Sequence, residues 1–573
     1  MGIDALTLIP NIMAEDHHIA GERLVRVPEL LGIICTFLGP SECKEVVSVS
    51  RTWFRAATPV IWKEVAGIHH LLALFPGGEI RPLGVSTIMI RLSPLLDFTR
   101  FDIYAPLVKS LDLYGDSKHS YDFSGWSTLN QRQSPLLPHL SSLTMRGTCG
   151  SRGSGDQLLW TTLLASSTLR EVRTVSSGKK RPNPLLVAPV VASLLLSKIT
   201  HQCPDLQVLS IFPEPSLTST GSYKEGIFET FLTFSQPPFQ HYLAQSRQLR
   251  ELASTGLILQ SDVLPIVASL PRLVHLEIFT PSIDIDPDEI SLPENAFPSL
   301  QRLSLYLALN QGATDLWKIH ALRQLTSLRI EFRDQHNDDT DDPENWARNL
   351  LSTIAKNSPN LRHLHVNFSL CDSCEDEPCD LGDPVLLEEL STLPLETVTL
   401  ESAWFGTHDP DVFNCIPTAF PNVIDLRMPT LHAPLNLLPY FAKLPKLQHL
   451  VLDLDLTHGS RCDLPPTVPV GLALHTLETK DECAPLGDLV SLAKDLLLLW
   501  PNLQRVVCPK DGIVAGTTKL MQSTLISSLN SYITAVRETT KLKKTIVEKY
   551  GPAESALFDT LPTVDYLLPD SSG

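Results

Sequence analysis

The stretches LPRLVHLEIF at residues 270–279 and FPSLQRLSLY at residues 297–306 follow the same order of residue types. In each, an apolar residue precedes two variable residues, a second apolar residue, one variable residue and a third apolar residue. This order recurs along the chain in copies that begin roughly 24–43 residues apart, a spacing typical of structural repeats. The clearest copies are VKSLDL from Val108, LSSLTM from Leu140, LREVRTV from Leu169, LQVLSI from Leu206, LRELAS from Leu249, LVHLEI from Leu273, LQRLSL from Leu300, LTSLRI from Leu325, LRHLHV from Leu361, LETVTL from Leu395, VIDLRM from Val423, LQHLVL from Leu447 and LQRVVC from Leu503, with weaker copies at VSTIMI from Val85 and near Leu474.

Each copy combines the patterns of a helix, a turn and a short strand. Upstream, WARNLLSTIAKNSPN at residues 346–360 places Trp346, Leu350 and Ile354 on one helical face. A proline in the turn segment then ends the helix, because it disfavours helix at the preceding residue. These turn segments are CPDL, LPRL, FPSL, SPNL, FPNV, LPKL and WPNL. Period-2 alternation in the strand sends its fourth and sixth positions inward and its third, fifth and seventh outward. Stacked units of this kind form a parallel sheet with helices outside it.

This unit resembles the leucine-rich repeat over about residues 80–510. The resemblance predicts an α/β solenoid at residues 67–510, with parallel strands on its concave face. At the eighth position, where that family has Asn or Cys, the chain instead has Pro281, Ala308, Arg333, Ser369 and Ala403. We therefore expect divergent repeats with unequal loops rather than a regular asparagine ladder. A non-repetitive α/β protein is the alternative.

Residues 23–66 read as a compact group of short helices that precedes the repeats. Pro28 stands at a helix start, where its missing N–H does no harm, and Gly39-Pro40 ends that helix. Ser41 can cap the second helix, and Thr58-Pro59 interrupts the last one. A unit of this size is marginal alone, so we expect a partner helix or the repeats to stabilise it.

The same segment resembles an F-box. Its matching residues are Val27-Pro28, Glu29-Leu30-Leu31, Ile34, Leu38, Val49-Ser50-Arg51-Thr52-Trp53 and Ile61-Trp62, with Val27 in place of the usual Leu and Glu42-Cys43 in place of the usual Asp-Leu. Similar proteins that join an F-box to leucine-rich repeats are substrate receptors of SCF-type, cullin-based ubiquitin ligases. The resemblance thus implies that the F-box binds the Skp adaptor, and through it a cullin, while the repeats bind a protein substrate. The alternatives are a helical cap of the repeats and a protein-interaction scaffold without a ligase role.

The implied adaptor-binding residues lie in this segment, and the expected substrate-binding residues lie on outward strand positions. The first set is Pro28, Glu29, Leu30, Leu31, Ile34, Leu38, Val49, Trp53 and Trp62; the second is Tyr114, Phe212, Phe279, Tyr306, Arg329, His363 and His365. Aromatic side chains and Arg are enriched at the energetic centres of protein interfaces. Aromatic rings packed beneath flanking loops are the alternative reading of the seventh positions.

Composition excludes several classes of function. The formal net charge is −18, from 46 basic and 64 acidic residues, which argues against coating nucleic acid or an anionic membrane surface. Eleven scattered Cys and an N-terminus without a basic signal region indicate a reducing compartment, so we expect a cytoplasmic or nuclear protein. The longest apolar stretch, residues 185–199, contains Pro189 and is too short to span a bilayer.

The sequence predicts no enzyme and no cofactor, since the phosphate-binding, nucleophile-elbow and zinc-protease motifs are absent from it. Cys371, Cys374 and Cys379 near His363 and His365 have spacing that could suit zinc, but a second Cys pair is missing. We expect an acidic loop there and no metal. Residues 1–22 are expected to form a flexible tail, and residues 511–573 a helical cap with its own tail.

Overall fold

The computed structural model describes residues 27–83, 87–115, 120–132, 134–147, 154–176, 184, 186–214, 239–280, 292–307, 313–332, 343–368, 379–405, 410–455, 470–479, 489–508 and 517–550. The chain divides into two compact units. The first comprises Met1–Val274 with Leu292–Ser299, and the second comprises His275–Ser291 with Leu300–Gly573. The boundaries expected from the sequence, at residues 22/23, 66/67 and 510/511, are not tested by this division and remain predictions.

The described part of the first unit alternates short helices and strands. Its helices are α1 (Pro28–Phe37), α2 (Pro40–Val46), α3 (Arg51–Lys63), α4 (Ile68–Leu72), α5 (Phe101–Tyr104), α6 (Trp126–Asn130), α7 (Ser154–Leu164), α8 (Pro189–Gln202), α9 (Phe239–Leu243) and α10 (Leu264–Ala268), with 3-10 turns at Ala105–Leu107 and Gly256–Leu259. Its strands are β1 (Glu64–Ala66), β2 (Glu79–Leu83), β3 (Thr87–Arg91), β4 (Ser110–Asp112), β5 (Ser120–Ser124), β6 (Ser142–Gly147), β7 (Glu171–Ser176), β8 (Leu186–Val187), β9 (Val208–Ser210), β10 (Phe212–Pro213) and β11 (Glu251–Thr255).

Six strands of this unit form a parallel sheet in the order β1-β4-β6-β7-β9-β11. The first of them follows α3 directly, so the last three residues of the predicted helical segment belong to the sheet. The prediction of a repeat at VSTIMI is wrong, because β3 pairs antiparallel with β2 and parallel with β5 in a separate three-stranded sheet. Its alternating pattern is genuine, but its strand neighbours are not repeat strands.

The described part of the second unit continues the same alternation. Its strands are β12 (His275–Thr280), β13 (Arg302–Leu307), β14 (Ser327–Phe332), β15 (His363–Asn367), β16 (Cys379–Asp380), β17 (Thr397–Glu401), β18 (Ala403–Trp404), β19 (Asp425–Pro434), β20 (His449–Asp455), β21 (Thr476–Thr479) and β22 (Arg505–Val507). Its helices are α11 (Pro343–Asn357), α12 (Pro384–Ser391), α13 (Pro410–Ala419), α14 (Leu438–Ala442), α15 (Leu489–Leu499) and α16 (Thr517–Tyr550), with 3-10 turns at Asp315–Lys318, His320–Gln324 and Leu435–Leu437.

Nine strands of the second unit form a parallel sheet in the order β12-β13-β14-β15-β17-β19-β20-β21-β22. Their apolar fourth positions are in register, so that Leu303, Leu328 and Leu364 stand side by side in the core. The first position of each copy is equally buried, and Leu273, Leu300 and Leu361 have no exposed surface. These rows of burial confirm the repeat that the sequence predicts.

Backbone hydrogen bonds of one kind join successive repeats at the turn before the strand. The carbonyl of the second position accepts from the N–H groups of the second and third positions in the next repeat. Thus the Gln301 carbonyl accepts from Thr326 and Ser327 at 2.9 and 3.0 Å, and the Thr326 carbonyl accepts from Arg362 and His363 at 2.9 and 3.0 Å. The first unit has the same arrangement, in which two backbone donors share the Lys109 carbonyl. These backbone hydrogen bonds satisfy the carbonyl at the start of each of these strands and fix the position of the following repeat.

Side-chain hydrogen bonds fix one turn and the last strand of the second unit. In the SPN turn, buried Ser358 accepts a hydrogen bond from the indole Nε1 of buried Trp317 at 3.2 Å and donates to the Leu322 carbonyl at 3.3 Å. At the last strand, Asn530 of α16 accepts from the Val506 N–H at 2.7 Å and donates to the Val506 carbonyl at 2.8 Å. This side-chain amide satisfies an edge strand as a further strand would, and so ends the sheet.

Candidate partner-binding surfaces

The helices α1 to α3 form a small core of their own. Buried Cys35, Cys43 and Ala57 meet at its centre, and the Ser50 hydroxyl caps α3 by accepting from the Trp53 N–H at 3.2 Å. Partly buried side chains complete this core: Leu38, Val46, Val47, Trp53, Ala56, Val60 and Ile61. Leu38, Trp53 and Ile61 of the F-box-like pattern therefore belong to the core of the module.

The outer side of α1 is also apolar. Leu30 is 42% exposed, Ile33 53% and Phe37 87%. Their spacing of three and four residues places them on one stripe of the helix, opposite buried Leu31 and Cys35. Further exposed apolar side chains of the module are Val27, Val49 and Phe54. The module therefore exposes several large apolar side chains beyond those that form its core.

The structure separates the residues that the F-box resemblance groups together. Pro28, Glu29, Leu30 and Val49 are exposed, whereas Ile34, Leu38, Trp53 and Trp62 are partly buried and Leu31 is fully buried. The ring of Trp62 lies 4.8 Å from that of Tyr104 in α5, so Trp62 joins the module to the repeats. The residues expected to bind the adaptor did not include the exposed Ile33, Phe37 and Phe54, although apolar residues on more than one side of α1 were a signal for them.

The outward side chains of the nine parallel strands form a second surface, which we name the open face. In register, its first row is His275, Arg302, Ser327, His363, Thr397, Asp425, His449, Thr476 and Arg505, and its second row is Glu277, Ser304, Arg329, His365, Thr399, Arg427, Val451, Glu478 and Val507. The two rows place His363, His365 and Arg329 on neighbouring strands. Mixed charge, rather than a single sign, characterises this surface.

One charged group on the open face, which we name the Arg329 cluster, comprises Tyr306, Arg329, Glu331, His365 and Glu401. The Arg329 guanidinium donates to Glu331, with Nε at 2.8 Å from Oε1, and its Cζ lies 5.9 Å from the Tyr306 ring centroid. Burial, and then the positive charge of Arg329, lower the pKa of His365 to about 4. Burial, and then the charge of Glu331, raise the pKa of Glu401. His365 Nε2 and Glu401 Oε1 are 3.9 Å apart, but with a neutral imidazole they form no ion pair at pH 7.

A second group, the His449 cluster, comprises Asp425, Arg427, His449 and Glu478. His449 lies between two carboxylates, with Nδ1 at 3.4 Å from Asp425 and Nε2 at 3.2 Å from Glu478. Arg427 Nε donates to Asp425 at 3.0 Å. Burial is the largest influence on the pKa of Asp425 and raises it, but the hydrogen bonds from His449 and Arg427 together outweigh it, so the pKa is lowered. Each cluster holds an Arg–carboxylate contact, Arg329 with Glu331 and Arg427 with Asp425, so its charges are held on the open face by side-chain hydrogen bonds.

The four aromatic residues expected on outward positions are nearly buried. Tyr114 and Tyr306 are each 8% exposed, Phe279 6% and Phe212 4%. Phe279 stacks on Tyr306 with ring centroids 4.3 Å apart, and Tyr114 stacks on Tyr121 at 5.4 Å. This burial agrees with the alternative in which the rings pack within the protein. The role of these residues in substrate binding stays a prediction, and the more accessible members of that set are Arg329, His363 and His365.

The candidate zinc ligands Cys371 and Cys374 lie outside the described residues, as does the side chain of Cys379. Within the described residues, no group of three or more His, Cys, Asp and Glu side chains could hold a metal ion. Among the helices that the structure describes, none is both long and apolar enough to cross a membrane, and the long helix α16 is rich in charged residues.

No protein-family model matches the chain, and no curated protein matches it. Among solved structures, an internalin from Listeria monocytogenes aligns at 13% identity over 64% of this chain and 80% of its own, with a TM-score of 0.28. The leucine-rich-repeat protein LegL7 from Legionella pneumophila aligns at 15% identity over 60% of this chain and 90% of its own, with a TM-score of 0.29. TLR13, in its complex with ssRNA13, aligns at 14% identity over 71% of this chain and 47% of its own, with a TM-score of 0.34.

These superpositions are partial, so the fold assignment rests on the molecule itself. Parallel strands in register, buried leucine rows and the repeated turn hydrogen bonds give the architecture of an α/β leucine-rich-repeat solenoid. Extended sheets of this kind present side chains from many strands on one surface.

Proposed function

We propose that the protein is the substrate-recognition subunit of an SCF-type ubiquitin ligase. In this proposal α1 to α3 bind the Skp adaptor, and through it a cullin, while the open face binds a protein substrate. The chain contributes no catalytic residue and no cofactor, and it acts in the cytoplasm or nucleus. The exposed apolar stripe of Leu30, Ile33 and Phe37 is the observation that supports the adaptor-binding part.

The stripe has the geometry of a helix-in-groove contact. Leu30, Ile33 and Phe37 are spaced i, i+3 and i+7, as anchors of such contacts usually are. Fully burying a large apolar side chain contributes about 1.5–3 kcal/mol. Because these three side chains are already partly buried, covering the rest of their surface would contribute about 3–5 kcal/mol in total, before the cost of association. The buried side of α1 keeps the module folded, and the exposed side is therefore available to a partner.

The test is co-purification of the Skp adaptor with the full chain and with a Leu30→Asp, Ile33→Asp, Phe37→Asp variant. We expect the wild-type chain to retain the adaptor and the variant to lose it, because three charges would enter an apolar contact. The matched control is Leu83→Asp, Leu95→Asp, Ile103→Asp, which adds the same three charges at side chains that are exposed in the same unit but outside the module. The control should bind like wild type.

Circular dichroism checks that the variants keep the fold. We expect them to do so, because exposed substitutions rarely change stability by more than about 0.5 kcal/mol. The proposal fails if the wild-type chain does not bind the adaptor, or if the stripe variant binds it as well as the control does. Leu31→Asp is unsuitable as a test, since Leu31 is fully buried and a charge there would unfold the module.

A second candidate is an interaction scaffold in which the helices only cap the repeats. It is favoured by the direct passage from α3 into β1 and by the contact of Trp62 with Tyr104. In that case, neither the wild-type chain nor any variant would bind the adaptor. Removing α1 and α2 would instead destabilise the first strands. Hydrogen exchange of β1 and β4, measured beside the adaptor experiment, distinguishes the two candidates.

A further inference from the structure

A cleft of about 430 Å³ lies between α16 and the end of α15, in the second unit. We name it the cap cleft. Its α16 wall carries Arg537, Lys541 and Lys544, and its other wall carries His475, Asn502 and Gln504. None of the described residues that line it is acidic. In a chain of net charge −18, this is a local concentration of positive charge.

The three cations stand on one stripe of α16, because residues spaced i, i+4 and i+7 share a helical face. Carboxylates lie near two of the three cations, but both pairs are open to solvent. Lys541 lies 3.1 Å from Glu538, and Lys544 lies 4.0 Å from Glu548, but all four side chains are at least 60% exposed. Exposed pairs of this kind contribute at most about 1 kcal/mol, so an incoming anion can replace them.

Fixed hydrogen bonds hold the walls of the cleft in place. Arg537 donates from one guanidinium nitrogen to the Leu503 carbonyl at 3.2 Å, which sets the position of the group. Asn502 donates to the Leu472 carbonyl at 2.7 Å, and the His475 Nδ1 lies 3.4 Å from the Asn502 carbonyl. The cleft also has an apolar floor at Leu497 and Pro501. Arg537 and Asn502 are therefore held in position beside apolar surface, while Lys541 and Lys544 extend from α16 into solvent.

We propose that the cap cleft binds an acidic peptide segment in an extended conformation. At about 1.5 Å rise per residue, Arg537 and Lys541 are about 6 Å apart along the helix axis, and Arg537 and Lys544 about 10 Å. Alternate side chains of an extended peptide are about 6.6 Å apart, so two anionic residues at alternate positions match the interval between Arg537 and Lys541. Lys544 lies about 4.5 Å further along the helix axis and adds positive charge at that end of the row. A single small anion could meet only part of it. The floor and the amides of Asn502 and Gln504 suit a peptide backbone.

The test measures fluorescence anisotropy of a labelled peptide of four Asp-Ser repeats with the full-length chain at low salt. We expect saturable binding that weakens as salt is added, and no binding of the corresponding Asn-Ser peptide. An Arg537→Gln, Lys541→Gln, Lys544→Gln variant should bind at least about tenfold more weakly, because it removes the complementary charges. A Lys541→Gln, Lys544→Gln variant keeps the Arg537 contact and guards against misfolding.

The control replaces three exposed cations outside the cleft, Lys356, Arg362 and Lys446, with Gln, which lowers the net charge by the same amount. It should bind like wild type. Equal losses in both triple variants would show a bulk charge effect and overturn the proposal, as would absence of binding or tighter binding of a single-stranded oligonucleotide. Binding that appears only when Glu554, Asp559, Asp565 and Asp570 are made neutral would identify the chain's own C-terminal segment as the occupant, which also overturns a partner in trans.

Discussion

His365 should make the second unit less stable as the pH falls below neutrality, and a His365→Gln variant should lack this response. The imidazole is partly buried on the open face, where its side chain is 26% exposed. Burial opposes its protonation most strongly, followed by the charge of Arg329; Glu331 favours protonation less than Arg329 opposes it, and Arg427 opposes it least. The folded protein therefore holds the pKa of His365 at about 4, against 6.5 for the ordinary side chain. Between these values the unfolded chain binds the additional proton, so stability decreases as the pH decreases.

The size of the effect follows from the two pKa values. Relative to the variant, wild type should lose about 2 kcal/mol of unfolding free energy between pH 7.5 and pH 5, out of about 3 kcal/mol available below both values. Urea denaturation at the two pH values, followed by circular dichroism, measures this difference. Glu401, whose raised pKa acts in the opposite direction, is present in both proteins and largely cancels in the comparison.

The variant itself changes packing, so the informative quantity is the dependence of stability on pH and not the stability at pH 7.5. His363→Gln is the matched control, because His363 lies two residues away on the same strand and is exposed. It should keep the wild-type response to pH. If His365→Gln loses as much stability between pH 7.5 and pH 5 as wild type does, the burial of a neutral imidazole beside Arg329 is refuted as the cause.

Three substitutions test the turns and the sheet edge. Ser358→Ala should cost about 1–3 kcal/mol of unfolding free energy in urea denaturation, since it leaves the buried Trp317 indole N–H without an acceptor. Asn530→Ala removes both hydrogen bonds to the last strand, and hydrogen exchange of β22 should accelerate while that of β14 stays unchanged. Gly67→Ala should lower the melting temperature, because Gly67 has φ +106° and an added Cβ would lie 2.4 Å from the His69 ring.

The repeat was predictable because the same order of apolar residues, LxxLxL, recurs in its copies. A misplaced leucine row exposes apolar surface in several neighbouring strands, so the pattern LxxLxL must be kept wherever strands pair in register. The copy near Leu474 is confirmed as β21, although its sequence is weak. VSTIMI has the same alternation, but its strand β3 pairs with β2 rather than with a repeat strand. Alternation alone predicts a strand and does not specify its pairing partner.

The outward residues were harder to predict, since their environment depends on the adjacent repeats. The sequence places Phe279 and Tyr306 at seventh positions, but only strand register shows that the two rings stack on each other and leave water. The pKa of His365 likewise depends on Arg329, which is 36 residues distant in sequence and directly adjacent in the sheet. The shared turn carbonyls are backbone contacts and leave no residue-type signal.

The exposed stripe of α1 is the feature that a cap alone does not explain. A helix that only covers the end of a repeat array requires one apolar face, and Leu31 with Cys35 already provides it. At the far end of the second unit, α16 meets this requirement with buried Leu529 and Ile533. Phe37 and Ile33 instead keep more than half of their surface in water, which reduces solubility without stabilising the module. A surface with that cost is accounted for when a second helix or groove covers it, and the adaptor experiment tests this directly.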